Sequence, residues 1–181
     1  MFIALEGIDG CGKTTVAGRL AERGYTTTEE PFLQCLKEVI VKTTDPEARE
    51  LAFYFDRIYH LEKFIEPNLK RGDVVTDRYK YSQIAYAYAR YRDLDIYDTV
   101  LKLNEKIPEG DIVIFLDIAP DIAIRRKPHS DIKSFLKENE TPAEFLAAVR
   151  KKYLEMADDR WRVINAERPQ KEVFEEVLKS L

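Results

Sequence analysis

The stretch of this chain that most restricts its possible folds is GIDGCGKT, which runs from Gly7 to Thr14. It matches the pattern G-x-x-x-x-G-K-[ST], and it lies between an apolar strand-like segment, FIALEG, and a helix-like segment that stops at Gly24. Glycines at such a turn let backbone N–H groups approach phosphate oxygens without side chains in the way. The alternative is a turn that is rich in glycine only by chance, but such a turn would not be expected to lie between a strand and a helix. The motif therefore predicts a strand–loop–helix unit that binds a nucleoside triphosphate.

The individual roles within this loop follow from the chemistry of its side chains. Lys13 is expected to reach the β- and γ-phosphates, and Thr14 to offer its hydroxyl to Mg²⁺. Cys11 is interpreted as a small filler in the loop rather than as a reactive thiol. The residues predicted to bind ATP are Gly7, Ile8, Asp9, Gly10, Cys11, Gly12, Lys13, Thr14 and Thr15.

Strand-like and helix-like segments alternate along the rest of the chain. Strand-like segments recur at YTTTEE, DVVTD, DIVIFLDI and WRVINA, with apolar residues at helical spacing between them. DIVIFLDI is apolar through its centre, as expected for a strand that is buried on both faces of a parallel sheet. The pattern predicts an α/β fold, a five-stranded parallel sheet flanked by helices. In such folds ligands bind beyond the carboxyl ends of the strands, where the strand order reverses.

Length and composition indicate one domain over residues 1–181. The segment at about 125–142 fits neither the helical nor the strand period and is predicted to be a mobile lid over the site. A net charge of −4 argues against a broad face that binds nucleic acid. No apolar run approaches the ~20 residues of a membrane helix, so no membrane partner is expected. With only two cysteines and no signal-peptide pattern at Met1, the expected location is cytoplasmic.

A second charged site is expected at GDVVTDRYKYS, from Gly72 to Ser82. Asp77 and Arg78 end a strand that is predicted to lie beside the strand leading into the glycine loop. Arg78 is expected to bind an acceptor phosphate and the transferred group together, because a guanidinium binds phosphate in bidentate fashion. Asp77 would orient Arg78 or hold a water on Mg²⁺. The alternative is a surface ion pair or a helix cap.

A second phosphate site that faces the glycine loop favours a small-molecule kinase over other proteins with this loop. A GTPase switch would need a guanine-reading N-K-x-D motif, which the sequence lacks. A motor would usually need an acid that closes an apolar strand, and Asp117 is a formal candidate, but nothing around it supports a motor. A non-enzymatic nucleotide-binding switch therefore stays only as a weaker alternative.

Together these segments resemble the thymidylate kinase family, P-loop nucleoside monophosphate kinases that move the γ-phosphate of ATP onto dTMP. The likeness rests on LEGIDGCGKTT, EEP, ELAFYFDRIYHLEKFIEPNLKRGDVVTDRYKYSQIAY, DIVIFLDI and VRKKYLEMA. Its most specific part is the F-x-x-x-R spacing of Phe53 and Arg57, followed by D-R-Y. The resemblance implies a P-loop NTPase fold with a lid segment, phosphotransfer from ATP to dTMP with Mg²⁺ as cofactor, and a homodimer.

The resemblance also implies roles for single residues. Phe53 would stack on thymine, Arg57 would donate to a base carbonyl, Gln83 would read the base edge, and Tyr86 would exclude a ribose 2′-hydroxyl. Asp9 would lie close to the sugar and phosphate of the acceptor. Without the resemblance, core packing would also explain the aromatic residues, and a solvated helix face would explain the arginine. The residues predicted to bind dTMP are Asp9, Pro31, Phe53, Arg57, Arg78, Ser82, Gln83 and Tyr86.

The remaining predictions concern catalysis and the metal. Gly10 stands where some members of the family carry arginine, so the charge of the transition state must be met from elsewhere, and the basic run at residues 125–127 is the expected source. The alternative is a solvated basic patch. The residues predicted to be catalytic are Lys13, Arg78, Asp9, Arg125 and Arg126. The residues predicted to hold Mg²⁺ are Thr14 and Asp77.

Two enzymatic alternatives stay open. A deoxynucleoside kinase would share the loop and would use Glu30 as a general base on a sugar hydroxyl. A broader dTMP/dUMP kinase is the other, because one methyl group is worth only about 1–3 kcal/mol in an apolar pocket. His60 and His129 have no evident partners in the sequence and are interpreted as surface or helix-face residues.

Overall fold

The computed structural model describes residues 1–127, 136 and 140–181. Its centre is a five-stranded sheet with the order β2-β3-β1-β4-β5, in which every pair of neighbours is parallel. The strands are β1 (Phe2–Glu6), β2 (Thr26–Glu29), β3 (Val74–Asp77), β4 (Ile112–Asp117) and β5 (Trp161–Asn165). The predicted five-stranded parallel sheet is therefore confirmed.

Helices connect these strands and cover the sheet. Within the described ranges they are α1 (Lys13–Ala21), α2 (Gln34–Lys42), α3 (Pro46–His60), α4 (Glu66–Leu69), α5 (Lys80–Tyr91), α6 (Asp95–Glu105), α7 (Pro120–Arg126), α8 (Pro142–Met156) and α9 (Gln170–Ser180), with a π-helical turn at Leu61–Ile65. Asp45 caps α3 by accepting a hydrogen bond from the backbone N–H of Ala48 at 2.8 Å, and Pro46 follows it at the first helical position. None of the helices described is both long and apolar enough to cross a membrane.

The central strands are buried on both faces. Every residue of β1 and β3 is buried, and the apolar side chains of Ile3, Leu5, Val75 and Ile114 have no exposed surface. Side chains alternate between the two faces of a strand, so a strand that is buried throughout must be covered on both sides. This packing fixes where each strand ends, and it thereby fixes the positions of the loops that follow.

The site lies where β1 meets β3. In the register of the two strands Leu5 faces Asp77, so the loop that follows β1 lies beside the turn that follows β3. This confirms the predicted neighbourhood of the two charged segments. The predicted lid at about 125–142 begins inside α7 and ends at the start of α8, and residues 128–135 and 137–139 lie outside the described part of the chain.

Candidate active site

The loop after β1 depends on glycine for two separate reasons. Gly7, Gly10 and Gly12 have φ values of 145°, 87° and 104°, a region that side chains rarely adopt. A Cβ on Gly7 would lie 2.8 Å from the carbonyl oxygen of Leu116, and one on Gly10 would lie 2.4 Å from that of Ala123. Ala123 belongs to α7, so the loop and this helix are in direct contact at Gly10.

Lys13 and Cys11 lie inside this loop. The Lys13 ammonium group donates to the carbonyl oxygens of Gly7 at 2.9 Å and Ile8 at 3.2 Å, and the side chain is buried. The Cys11 thiol is also buried and lies 3.5 Å from the same nitrogen. The cation is therefore already held at the loop that would surround a phosphate.

A single cavity of about 1110 Å³ joins the loop to α3, α5 and the segment after β5. Sixteen of the predicted site residues line it: Asp9, Gly10, Cys11, Gly12, Lys13, Thr14, Thr15, Pro31, Phe53, Arg57, Asp77, Arg78, Ser82, Gln83, Tyr86 and Arg126. Gly7, Ile8 and Arg125 do not line it. The donor and acceptor residues that the sequence predicts thus surround one continuous space.

Arg78 has an unusual backbone conformation at the boundary of the two halves. Its φ of 74° is positive, and no other non-glycine residue in the described ranges shares this feature. Such a conformation typically costs about 1–3 kcal/mol and is common at functional sites. The guanidinium donates to Ser82 Oγ at 3.0 Å and to Asp9 Oδ1 at 2.8 Å, and it lies over the ring of Tyr86. Arg78 is therefore fixed between the loop and α5.

Asp9 is the acidic residue at the centre of this cationic cavity. Its carboxylate pairs with Arg78 and, at 3.4 Å, with the ammonium group of Lys127. The Tyr86 hydroxyl accepts from the backbone N–H of Asp9 at 3.3 Å. Burial alone would raise the pKa of Asp9, but the charges of Arg78, Lys13 and Lys127 outweigh it and hold the pKa below its usual range. Asp9 is therefore ionised and keeps two cations in place.

The two residues predicted to hold Mg²⁺ are hydrogen-bonded to each other. Thr14 Oγ1 donates to Asp77 Oδ2 at 2.7 Å, which brings a hydroxyl and a carboxylate together beside the loop. The second oxygen, Asp77 Oδ1, is buried and has no hydrogen-bond partner in the described part of the chain. Oxygen donors of these two kinds suit Mg²⁺, which commonly takes one or two protein ligands and completes its shell with phosphates and water. The residues fit the ion.

Phe53 and Arg57 occupy the same face of α3 but lie in different surroundings. Phe53 is partly exposed and lines the cavity, so its ring is not sealed inside the core. Arg57 is 1% exposed, and its guanidinium donates to both oxygens of Glu30 and to Gln83 Oε1 and Asn104 Oδ1. Arg57 is thus part of a buried polar network at the cavity wall rather than of a solvated helix face.

Gln83 completes this network. Its Nε2 donates to the carbonyl oxygen and to Oε2 of Glu50, both at 2.9 Å, while its Oε1 accepts from Arg57 and Asn104. Burial raises the pKa of Glu50. Every hydrogen-bonding position of the Gln83 amide is used within the protein, so reading a base edge requires the exchange of one of these bonds.

Glu30 and His60 join the same network from the other side, and the surface interpretation of His60 is wrong. His60 is fully buried, its ring stacks on that of Phe32 at 4.5 Å, and its nitrogens contact Thr28 Oγ1 and Glu30 Oε1. It lies three residues after Arg57 and therefore shares the inward face of α3. Burial would raise the pKa of Glu30, but Arg57 and His60 hold it below its usual value. His129 lies outside the described residues.

The basic run at the end of α7 has three different environments. Arg125 is exposed and lies off the cavity, whereas Arg126 lines it and donates to the carbonyl oxygens of Ala166 and Glu167, which follow β5. Lys127 pairs with Asp9. Two of these three cations are therefore already directed at the site.

Sequence reasoning missed Glu6, Tyr153 and Asn104, all of which are buried beside the site. Glu6 left a visible signal, because a charged residue closing an otherwise apolar strand needs buried partners. Tyr153 and Asn104 left none, since a polar residue on an amphipathic helix does not indicate which helix it faces.

Comparison with known proteins identifies the family. The thymidylate kinase family model matches residues 5–177. The chain is 39% identical to a probable thymidylate kinase of Pyrobaculum calidifontis, covering 98% of this chain and 94% of that protein. It is 39% identical to one of Archaeoglobus fulgidus, covering 99% and 93%, and 34% identical to one of Pyrococcus abyssi, covering 98% and 93%. The chain belongs to the thymidylate kinase family.

Proposed function

We propose that this protein transfers the γ-phosphate of ATP to dTMP and releases dTDP and ADP. The observation that carries this proposal is the meeting of Arg78 and Asp9 with the glycine loop in one cavity, whose far wall includes Phe53. Membership of the family and relatives named probable thymidylate kinase support the same reaction.

On the donor side, backbone N–H groups of the loop and Lys13 hold the β- and γ-phosphates of ATP. Lys13 exchanges its bonds to the carbonyl oxygens of Gly7 and Ile8 for bonds to phosphate. Thr14 and Asp77 hold Mg²⁺, which supplies positive charge to the phosphate oxygens when it is bound. Arg126 and Lys127, at the lid end of the cavity, add positive charge near the transferred group, and Arg125 can do so only if the lid segment moves it inward.

On the acceptor side, Arg78 orients the phosphate of dTMP. That phosphate has a second pKa near ~6 and is mostly dianionic at neutral pH, so its oxygen attacks without a general base. The difficulty of the reaction is the approach of two polyanions, and positioned cations reduce it. Asp9 holds Arg78 and Lys127 in place at this point.

The base and sugar of dTMP lie along α3 and α5 in this proposal. Phe53 stacks under the thymine ring, and the network of Arg57 and Gln83 supplies hydrogen bonds to the base edge. Tyr86, fixed by its contacts with Asp9 and Arg78, fills the space that a ribose 2′-hydroxyl would need. Pro31 and Ser82 complete the lining of this part of the cavity.

The deoxynucleoside kinase alternative is weakened by the state of Glu30. A nucleoside hydroxyl must lose a proton, so such an enzyme needs a base. Glu30 is paired with Arg57 and His60, which lower its pKa and thereby its basicity. The acceptor that fits these surroundings best is one that needs no base, a nucleoside monophosphate.

The proposal includes a homodimer in the cytoplasm. Leu51, Phe55 and Ile58 form an exposed apolar stripe along α3, on the side away from the cavity, which supports pairing of two copies through this helix. Sedimentation equilibrium measures that pairing directly. Both cysteines are free, Cys11 buried and Cys35 exposed, which supports a reducing compartment.

One assay tests the reaction. Purified protein with Mg-ATP is given dTMP, dUMP or thymidine, and the products are separated by ion-exchange chromatography. We expect dTDP from dTMP, no dTMP from thymidine, and a dUMP rate within the ~10–200-fold range that one methyl group can produce. Phosphorylation of thymidine without phosphorylation of dTMP would overturn the proposal and return Glu30 to the role of base.

A further inference from the structure

Glu6 is a fully buried carboxylate at the end of β1, directly before the loop. Four donor groups surround it, three at or just before the start of α5 and one on α8. Its Oε1 accepts from the backbone N–H groups of Tyr79 at 3.0 Å and Ser82 at 3.2 Å. Its Oε2 accepts from Ser82 Oγ at 2.6 Å and lies 3.0 Å from the Tyr153 hydroxyl, which is also 2.8 Å from Ser82 Oγ. A buried charge needs such a set of partners, and here every partner but Tyr153 belongs to the segment that follows Arg78.

These bonds make Glu6, the last residue of β1, an N-terminal cap for the helix α5. The residue before α5, Tyr79, makes no side-chain cap, and N–H groups at the start of a helix need acceptors from elsewhere. A carboxylate at this end of a helix also interacts favourably with the helix dipole. Glu6 therefore fixes the first turn of α5, and with it the backbone of Arg78, two residues before the helix.

Ser82 extends this control to the side chain of Arg78. A serine hydroxyl has one hydrogen, and at 2.6 Å it is directed to Glu6 Oε2. The lone pairs of the same oxygen then face Arg78 Nη1 at 3.0 Å and the Tyr153 hydroxyl at 2.8 Å. An ionised Glu6 accepts only, so it determines the direction of this chain of hydrogen bonds.

We propose that Glu6 is a positioning residue for the acceptor phosphate, because through Ser82 it orients the guanidinium of Arg78 and through Tyr153 it links that orientation to α8. The identification of the bound phosphate as that of dTMP rests on the proposed function. The link between Glu6 and Arg78 rests on the ligand-free geometry alone.

The link between Glu6 and Arg78 should depend on pH, because the charge of Glu6 does. Burial raises the pKa of Glu6 to about 7, against the opposing effects of Ser82, Arg78, Tyr153 and Lys13. Arg57, on α3, also lies within electrostatic range. When Glu6 takes up a proton, it becomes a donor toward Ser82 or Tyr153, and the chain of bonds that ends at Arg78 must rearrange. We therefore expect Arg78 to be held more loosely, and a phosphate monoester to bind more weakly, as the pH falls through about 7.

The first test uses the ligand-free protein and needs no activity. The ¹³C signal of the Glu6 carboxyl and the ¹⁵N signal of Arg78 Nε are followed from pH 5.5 to 8.5. We expect both to change with one midpoint near 7, and the Arg78 change to vanish in Glu6→Gln. Tyr79→Phe is the matched control, since it removes a partly buried hydrogen bond to Pro108 from the same turn and keeps the backbone N–H that Glu6 accepts from.

The second test measures dTMP binding by calorimetry over the same pH range. We expect Glu6→Gln to bind dTMP about tenfold more weakly at pH 8 and to lose the inflection near 7, while ATP affinity and the phosphate's own inflection near ~6 persist. Tyr79→Phe should bind as the unchanged protein does.

Two results overturn the inference. One is an Arg78 signal that does not follow the Glu6 midpoint, and the other is tight, unaltered dTMP binding by Glu6→Gln at pH 8. If Glu6→Gln does not fold, Tyr153→Phe decides, because loss of that donor should move both midpoints to higher pH, and unmoved midpoints would count against the link. Failure to phosphorylate dTMP would instead overturn the proposed function and leave the ligand-free result standing.

Discussion

The two halves of the cavity are built in different ways. The donor side is eight consecutive residues, Gly7 to Thr14, whose backbone makes the site. The acceptor side is assembled from side chains on α3 and α5 and in the segments that follow β2 and β3, joined by a buried network around Arg57 and Glu30. A backbone site depends on local conformation, whereas a side-chain site depends on every partner that holds it.

Because the two halves are built differently, substitutions affect them in different ways. A change in the loop acts through φ angles and close contacts, as at Gly10, and its effect stays near the phosphates of the donor. A change in the network leaves a buried charge without its partner, and that effect spreads to residues in contact with it. The predictions that follow separate the halves by measuring each ligand alone.

The largest expected effects come from removing one cation on each side. We expect Lys13→Met to lower turnover by about 10³-fold with dTMP affinity nearly unchanged, because Lys13 binds only the donor phosphates. Arg78→Met should lower turnover by a similar factor and also weaken dTMP binding by about 10–100-fold. Steady-state kinetics and calorimetry of dTMP measure the two quantities.

Arg78→Lys is the matched control for this pair. It keeps the charge and loses the bidentate geometry, so we expect only partial recovery of turnover. Equal losses of dTMP affinity in Lys13→Met and Arg78→Met would show that the two halves are not separate.

The next effect is on stability and concerns the acceptor side. The pKa of Glu6 is raised from 4.5 to about 7 in the folded protein, so the folded state binds the proton more tightly than the unfolded state. The stabilisation from this proton is fully present below pH 4.5 and is lost as the pH rises to about 7. Over this range we expect the free energy of unfolding to fall by about 3 kcal/mol relative to that of Glu6→Gln.

Urea denaturation at several pH values measures this difference, and subtraction of the two proteins removes the contribution of the other carboxylates. Tyr79→Phe should run parallel to the unchanged protein. A difference that stays constant from pH 4.5 to 7.5 would mean that Glu6 does not titrate in this range.

The smallest expected effect is the loss of stacking. Phe53→Ala should raise the KM for dTMP by about 10–100-fold and leave the KM for ATP unchanged, because a ring under a base contributes about 1–3 kcal/mol. Tyr59→Ala, which removes another aromatic ring from the same helix but off the cavity, should change neither KM. A matching rise in both variants would trace the effect to α3 as a whole and not to the ring at position 53.

The sequence predicted the sheet and the position of the glycine loop between β1 and α1 well, because both are encoded locally. Glycines at fixed spacing define the loop, and a buried parallel strand is apolar along its length, as β4 shows. The adjacency of β1 and β3 followed from the usual order of such sheets.

The acceptor side was harder to predict for a physical reason. Helical spacing shows that Arg57 and His60 share a face of α3, but it cannot show that this face is turned inward. The partner of Glu6 lies 76 residues away at Ser82, and the partner of Arg57 lies 27 residues away at Glu30. Partners this distant leave no periodic signal, so the prediction for Arg57 depended on the resemblance to a family, and Glu6 was missed.

The contact at Gly10 also bears on how charge can reach the reaction. The carbonyl oxygen of Ala123 occupies the place where a side chain at position 10 would begin. An arginine at position 10 would therefore clash with α7 in its present position. The positive charge near the transferred phosphate can therefore come from the loop or from the neighbouring helix, but not from both. With glycine at position 10, this protein can supply it only from the helix.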